Sequence, residues 1–279
     1  MIADLHTHTT ASDGTLTPTE LVQAAALLGI ALLAITDHDT TAAIAEAQSA
    51  TQSTSVRLLP GVELSAEGPP GKCHLLGLGI DPTHPRLNST LAILSENRRQ
   101  RNAKMVTRLN ALGISLTLDE VITAAPPGAN VGRPHFAAAL VAKGSVSSIT
   151  EAFQRYLGDD AAAYIEKDTL TPAEAIALVH EAGGLCFLAH PGLLRLAAHE
   201  TPESRIIALK KLGLDGIEAY YSAYSPAEEA RFLRLAEKHQ LLVTGGSDFH
   251  GANKPSVPLG IVRSGQTLRL DLLPQALRR

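Results

Sequence analysis

Ile2-Ala3-Asp4-Leu5-His6-Thr7-His8 is a short, mostly apolar run that ends in two imidazoles one residue apart. Residues i and i+2 of an extended segment share a face, so His6 and His8 point to one centre. The same ending recurs along the chain. Thr36-Asp37-His38 closes the run from Ala31, Gly61-Val62-Glu63 the run from Val56, Ala189-His190-Pro191 the run from Leu185, and Gly246-Ser247-Asp248-Phe249-His250 the run from Leu241. Cys73-His74 belongs to the run reaching Gly79, and Ser12-Asp13-Gly14 to the loop after the first run. With Gly216 to Ala219 these runs are the candidate strands.

Helix starts alternate with them. Thr17-Pro18-Thr19-Glu20, Thr171-Pro172-Ala173-Glu174 and Ser225-Pro226-Ala227-Glu228 each place a hydroxyl cap, a proline in the first turn and a glutamate that completes a capping box. Alternation of strand and helix implies an α/β fold with a parallel sheet or barrel, whose sites gather at the C-terminal strand ends. Between about Thr83 and Asp168 the rhythm stops. Helices are expected there over Leu87 to Leu112, Leu118 to Ala125, Arg133 to Lys143 and Ser147 to Tyr156. The pattern predicts a barrel-like unit from residues 1–83 and 169–279, with a helical subdomain inserted at 84–168. Residues after Leu268 carry no clear signal.

The 279 residues are 45% hydrophobic and 19% charged, enough apolar surface for a core and no case for disorder. A net charge of −4 removes the basic footprint that long nucleic acid needs, but leaves room for a local pocket that takes a phosphorylated ligand. Tryptophan is absent and aromatics make up 4%, which argues against a stacking platform for single strands. Two cysteines cannot build a disulfide framework. No apolar run approaches the ~18 residues of a membrane span, and the N-terminus lacks signal-peptide features, so a reducing cytoplasm is the expected location. Eleven histidines are the compositional excess.

The strand ends collect His6, His8, Asp13, His38, Glu63, His74, His190, Asp248 and His250. Such a set exceeds the roughly four ligands of one zinc ion and suits two or three divalent ions bridged by carboxylate. Nitrogen and oxygen donors without thiolate point to Mn²⁺, Fe²⁺ or Zn²⁺. Asp37 and Asp39 read as turn residues that orient His38, and His84, His180, His199 and His239 as surface groups. Cys73 alternates with His74 and should face the core.

These motifs, taken in order, resemble those of the PHP (polymerase and histidinol phosphatase) family of metal-dependent phosphoesterases over almost the whole chain. The resemblance implies a distorted (β/α)7-type PHP barrel. It implies one metal position at His6, His8, Glu63 and Asp248, a second at Asp13, His38 and His250, and a third at Glu63, His74 and His190, with Glu63 bridging. A carboxylate at position 13, where some relatives have histidine, resembles the branch that includes 3′,5′-nucleoside bisphosphate phosphatases and 5′-to-3′ exoribonucleases, and it favours Mn²⁺ over Zn²⁺.

The expected insertion carries Arg98-Arg99-Gln100-Arg101-Asn102 and Gly132-Arg133-Pro134-His135. Both segments resemble the phosphate-binding part of the same branch, which implies substrate contacts from Arg99, Arg101, Asn102, Arg133 and His135. Arg99 and Asn102, at i and i+3, are expected to share a face. The implied activity is hydrolysis of the 3′-phosphate of a nucleoside 3′,5′-bisphosphate, with His190 or Asp248 relaying a proton. A 5′-to-3′ exoribonuclease acting on short 5′-phosphorylated RNA is the alternative. A histidinol phosphatase or a non-catalytic metal-binding module fits less well, since neither needs an arginine-rich helix beside an intact ligand set.

Overall fold

The computed structural model describes residues 1–263 and 265–278. Its strands are β1 (Ile2–Asp4), β2 (Ile30–Ile35), β3 (Arg57–Ala66), β4 (Cys73–Leu78), β5 (Leu185–Leu188), β6 (Gly216–Tyr221), β7 (Leu242–Gly246), β8 (Ile261–Arg263) and β9 (Gln266–Arg269). Its helices are α1 (Pro18–Leu27), α2 (Ile44–Thr51), α3 (Pro85–Ala111), α4 (Leu118–Ala124), α5 (Arg133–Ala142), α6 (Ile149–Ala152), α7 (Pro172–Glu181), α8 (Pro202–Lys211) and α9 (Pro226–Lys238). A π-helical turn, Phe153–Leu157, continues α6. The three expected capping boxes open α1, α7 and α9. Among the described residues no helix is long and apolar enough to cross a membrane.

All the strands form one mixed sheet in the order β7-β6-β5-β4-β3-β2-β1-β9-β8. Two expectations change here. The ladder has two ends, so the regular strands do not close into the expected ring. Among the described residues, backbone hydrogen bonds join its two sides where the chain has left β1: Leu5 N donates to Gly245 O (3.2 Å), Asp248 N to His6 O (2.8 Å) and His8 N to Phe249 O (2.9 Å). The sheet is also not wholly parallel, because β4 runs antiparallel to both β3 and β5. Only residues 67–72 join β3 to β4, whereas a parallel crossover needs about a dozen or more. The tail contributes β9, which pairs antiparallel with β1 through Ala3 and Leu268.

Between β4 and β5, α3 is shared by two cores. Leu87, Leu91 and Leu94 pack into the cluster that holds Leu75, Val179 and Leu188. Further along the same helix, Met105 and Leu109 belong to a separate cluster with Val121, Phe136, Leu140 and Leu157. Cys73 is buried in the sheet-side core, as its alternation with His74 predicts.

Close approach of the first and last parallel strands depends on Gly246. A Cβ there would lie 2.3 Å from His6 Cβ and 2.4 Å from His6 N. Backbone cannot yield as a side-chain tip does, so Gly246→Ala is expected to destabilise the fold by about 3 kcal/mol, the upper range for overpacking. A urea-unfolding midpoint equal to the parent's would contradict this.

Candidate active site

Three buried carboxylates, Asp4, Asp37 and Glu218, hold loops that leave the sheet. Asp4 accepts from Ser247 N (2.8 Å) and Ser247 Oγ (2.6 Å), which fixes the segment before Asp248. Asp37 accepts from Thr9 N (2.8 Å), Thr9 Oγ1 (2.7 Å) and Ser12 Oγ (2.5 Å), tying the loop that carries Asp13 to the end of β2. Glu218 on β6 takes His6 Nδ1–H at 2.9 Å and His190 N–H at 2.7 Å, so His6 is left with Nε2 to offer. Sequence reasoning passed over Glu218, although a lone charge in the buried run Gly216-Ile217-Glu218-Ala219 was the signal. His190 and Asp248 adopt positive φ (30° and 59°), strain of about 1–3 kcal/mol that this bonding sustains. His74 stands at the start of β4, and the antiparallel direction of β4 brings that start to the end of the sheet where the parallel strands finish.

All nine strand-end residues converge. His6 Nε2 and His8 Nε2 lie 3.4 and 3.3 Å from Glu63 Oε2, and 3.5 and 3.3 Å from Asp248 Oδ1. His38 Nε2 and His250 Nε2 approach Asp13 at 3.8 and 3.4 Å. His74 Nδ1 and His190 Nε2 meet Glu63 Oε1 at 2.9 and 3.1 Å. His8 faces two groups, since its Nδ1 is 3.7 Å from Asp13 Oδ1. Two donors bound at about 2.1 Å to one tetrahedral ion would stand roughly 3.4 Å apart, the spacing of the His6 and His8 contacts with Glu63 and Asp248.

Divalent cations fit this donor set. His6 Nε2 and both nitrogens of His8 are buried and make no hydrogen bond. Polar atoms so placed cost free energy unless a ligand takes them. Burial alone would raise the carboxyls of Asp13, Glu63 and Asp248, but the surrounding imidazoles, with Lys254 beside Asp248, hold all three well below the usual carboxylate range. Burial pushes His8 down to about 3, helped by His250 and His38. His38 is instead held up at about 9, because Glu63 and Asp13 outweigh its burial. Cations entering here displace protons from imidazole.

Beside the cluster opens a cleft of about 200 Å³, lined on one side by Asp13, His38 and His74 and on the other by Lys72, Arg98, Arg101, Arg133 and Lys167. Asp39 pairs with Arg98 and, at 2.6 Å, with Lys167. Arg133 donates to Asp159 at 2.6 Å and lies over the Tyr164 ring, 5.3 Å from its centroid. Arg101 is buried with its Nη1 on Met105 Sδ (3.2 Å), and no carboxylate among the described residues pairs with it. Burial, with Arg98 and Arg133 nearby, pushes its guanidinium down to about 9.

Three expected substrate contacts are absent from this cleft. Arg99 is 77% exposed and pairs with Glu96. Asn102 is buried and donates to Val131 O at 2.9 Å, bracing the loop before α5. His135 turns back so that its Nδ1 accepts Gly132 N–H at 3.0 Å. The inward stripe of α3 runs Leu87, Leu91, Leu94, Arg98, Arg101, Asn102, Met105 and Leu109. Extending the spacing of its leucines across the charged stretch selects Arg98 and Arg101 and turns Arg99 outward. Lys72 and Lys167 had no local motif to reveal them.

The PHP domain family matches residues 4–208. The chain is 40% identical over 253 residues to the 5′-3′ exoribonuclease Rnm of Escherichia coli, covering 90% of this chain and 85% of that protein. It is 34% identical over 257 residues to the 3′,5′-nucleoside bisphosphate phosphatase of Chromobacterium violaceum, covering 92% and 90%. A solved structure from Bifidobacterium adolescentis, provisionally described as a metal-dependent phosphoesterase, matches with a TM-score of 0.86 and 36% identity over 97% of this chain and 93% of that one. With family, fold and a donor set made for divalent cations in agreement, the chain belongs to the PHP domain family and is a hydrolase of phosphate esters.

Proposed function

We propose that the protein hydrolyses the 3′-phosphate of nucleoside 3′,5′-bisphosphates, giving a nucleoside 5′-monophosphate and phosphate. Arg101 carries this reading: a buried guanidinium without a carboxylate partner, in a cleft that opens on the carboxylate–imidazole cluster, is suited to a second phosphate held away from the reacting one. His6, His8, Asp13, His38, Glu63, His74, His190, Asp248 and His250 would hold two or three divalent ions, Mn²⁺ first, in a distorted PHP barrel. Bound there, such ions supply Lewis acidity and a nucleophile at neutral pH. Residues 84–168 provide most of the anchor, through Arg98, Arg101, Arg133 and Lys167, while Lys72 joins them from the loop before β4.

Asp248 Oδ2 accepts from Tyr221 OH (2.8 Å) and Lys254 Nζ (2.7 Å), which keeps it anionic. We therefore assign the proton delivered to the leaving O3′ to His190, whose Nε2 faces Glu63 and whose Nδ1 is left for that task. A second reading, 5′-to-3′ exonuclease action on short 5′-phosphorylated RNA, is favoured by a further hollow on the far side of His74 and by the likeness to Rnm. Adenosine 3′,5′-bisphosphate, adenosine 3′-monophosphate and a 5′-phosphorylated oligoribonucleotide assayed on one Mn²⁺-loaded preparation test both. Highest kcat/KM on the oligonucleotide would replace the first reading by the second.

The anchor has a pH dependence. Burial pushes the Lys167 ammonium down to about 8, with Asp39 opposing and Arg98 adding to the shift. Below that pH the lysine is a cation for phosphate, and above it the charge is lost. KM for the bisphosphate is therefore expected to rise as pH passes about 8, and Lys167→Arg, charged throughout, to flatten the rise. A rise of equal size in the arginine variant would assign it to another group.

A further inference from the structure

We infer that Arg205, on α8, is a positioning residue for the distal phosphate: it fixes the turn before β4 and, through that turn, the place of the Lys72 ammonium in the basic cleft. The inference rests on the proposed anchor, of which Lys72 is one part, and adds a residue that lies outside the cleft wall. Arg205 is an anomaly of its helix. It stands between the capping box of Thr201 and the core residues Ile206 and Leu209 and is 3% exposed, where a surface helix ordinarily carries arginine to water. A buried guanidinium costs free energy unless charge and hydrogen bonds satisfy it. Nη2 donates to Glu200 Oε2 at 2.6 Å, and that oxygen is itself fixed by Ala197 N at 2.9 Å. Nη1 donates to Lys72 O at 3.3 Å.

The turn is shaped to this side chain. Gly71 has a φ of +146°, a conformation open to glycine, and a Cβ there would overlap Nη1, Cζ and Nη2 of Arg205. The guanidinium therefore covers the glycine. Pairing between β3 and β4 ends at Ala66 and Cys73, which leaves Lys72 the first residue beyond the ladder, with its carbonyl held by Arg205. Its Nζ donates to Tyr164 OH at 3.0 Å and stands 3.4 Å from Glu67 Oε2. Glu67 competes with phosphate for this ammonium, so the placement of the lysine backbone governs how much of its charge an anion meets. Gly68 and Gly71, both at positive φ, make the segment pliant, and Arg205 removes that freedom before substrate arrives.

His74, two residues further on, does not depend on the clamp. It pairs with Ser65 in the ladder, and its carbonyl accepts Ala189 N–H at 3.0 Å. Arg205 thus bears on the anchor and not on the carboxylate–imidazole cluster, which separates its effect on binding from any effect on the chemical step.

Calorimetry on metal-depleted protein reads the anchor without turnover. Lys72→Met is expected to weaken binding of adenosine 3′,5′-bisphosphate about tenfold and Arg205→Met about fivefold. The double variant should be no weaker than Lys72→Met alone, since a positioning residue then has nothing left to position. In Mn²⁺-loaded protein Arg205→Met should raise KM about fivefold, with kcat within about twofold of the parent and the manganese content unchanged. Circular dichroism checks folding, and if Arg205→Met does not fold the same cycle is run with Glu200→Gln, which loosens the guanidinium at its partly exposed partner and should cost about threefold in affinity. Losses that add in the double variant, or an affinity equal to the parent's after loosening Arg205, would overturn the positioning role. Unchanged affinity in Lys72→Met would instead overturn Lys72 as part of the anchor, and the inference with it.

Discussion

Glu63→Gln is expected to lower kcat about 10³-fold or more and to reduce the bound metal found by elemental analysis. Among the described residues Glu63 alone faces His6, His8, His38, His74 and His190 at once, with separations of 2.9 to 3.4 Å. Glutamine keeps the shape but replaces one anionic oxygen by an amide that presents protons to imidazoles and cations alike. Metal ions stabilise transition-state charge by several kcal/mol, and a factor of 10³ is about 4 kcal/mol, so loss of a donor proposed to bridge two of them would account for the fall. The metal-free variant is also expected to melt at a lower temperature, because the imidazoles that hold Glu63 anionic, His38 above all, lose their buried partner. A variant that kept a tenth of the activity and its full metal content would show that Glu63 does not bridge.

Adenosine 3′-monophosphate is expected to react with kcat/KM about 10³-fold below that of the 3′,5′-bisphosphate. Without the 5′-phosphate, Arg101 would be enclosed by substrate with no anion facing it, and Arg98 and Lys167 would keep only the carboxylate of Asp39 that they share. Each charge-assisted contact to phosphate is worth about 1.5–3 kcal/mol, so two of them suffice for the factor. Arg101→Ala should raise KM for the bisphosphate about tenfold or more while changing the reaction of the monophosphate far less, since only the former meets that guanidinium. Steady-state kinetics on the two substrates decide the point. An equal penalty on both would place Arg101 at the reacting phosphate rather than at a distant one.

Convergence of the nine strand-end residues was legible because histidine and carboxylate are conspicuous at the close of apolar runs, and because strand ends on one edge of a sheet must meet. The inward face of α3 was less legible, since a run of three cations in four residues hides its register until the flanking leucines are used. Glu218 looked like an ordinary strand residue, and only the fold shows that it sets the tautomer of His6. The direction of β4 depends on the length of the turn before it, and closure depends on long-range pairing that no local pattern encodes. Lys72, Lys167, Tyr221 and Lys254 come from loops and strands without motifs, and they reach the site only through tertiary packing.

The sharing of α3 between two hydrophobic cores has a mechanical consequence. At 27 residues the helix is about 40 Å long, with one end embedded in the sheet-side core through Leu94 and the other in the helical core from Met105. It acts as a beam clamped at both ends. Neither half can tilt alone without leaving its bed of leucines, so widening of the cleft concentrates bending in the span from Ser95 to Lys104, where arginines interrupt the apolar stripe. The side chains proposed to hold the distal phosphate thus sit on the compliant part of the beam, and an anion drawn onto Arg98 and Arg101 would stiffen the stretch that governs how wide the mouth stands.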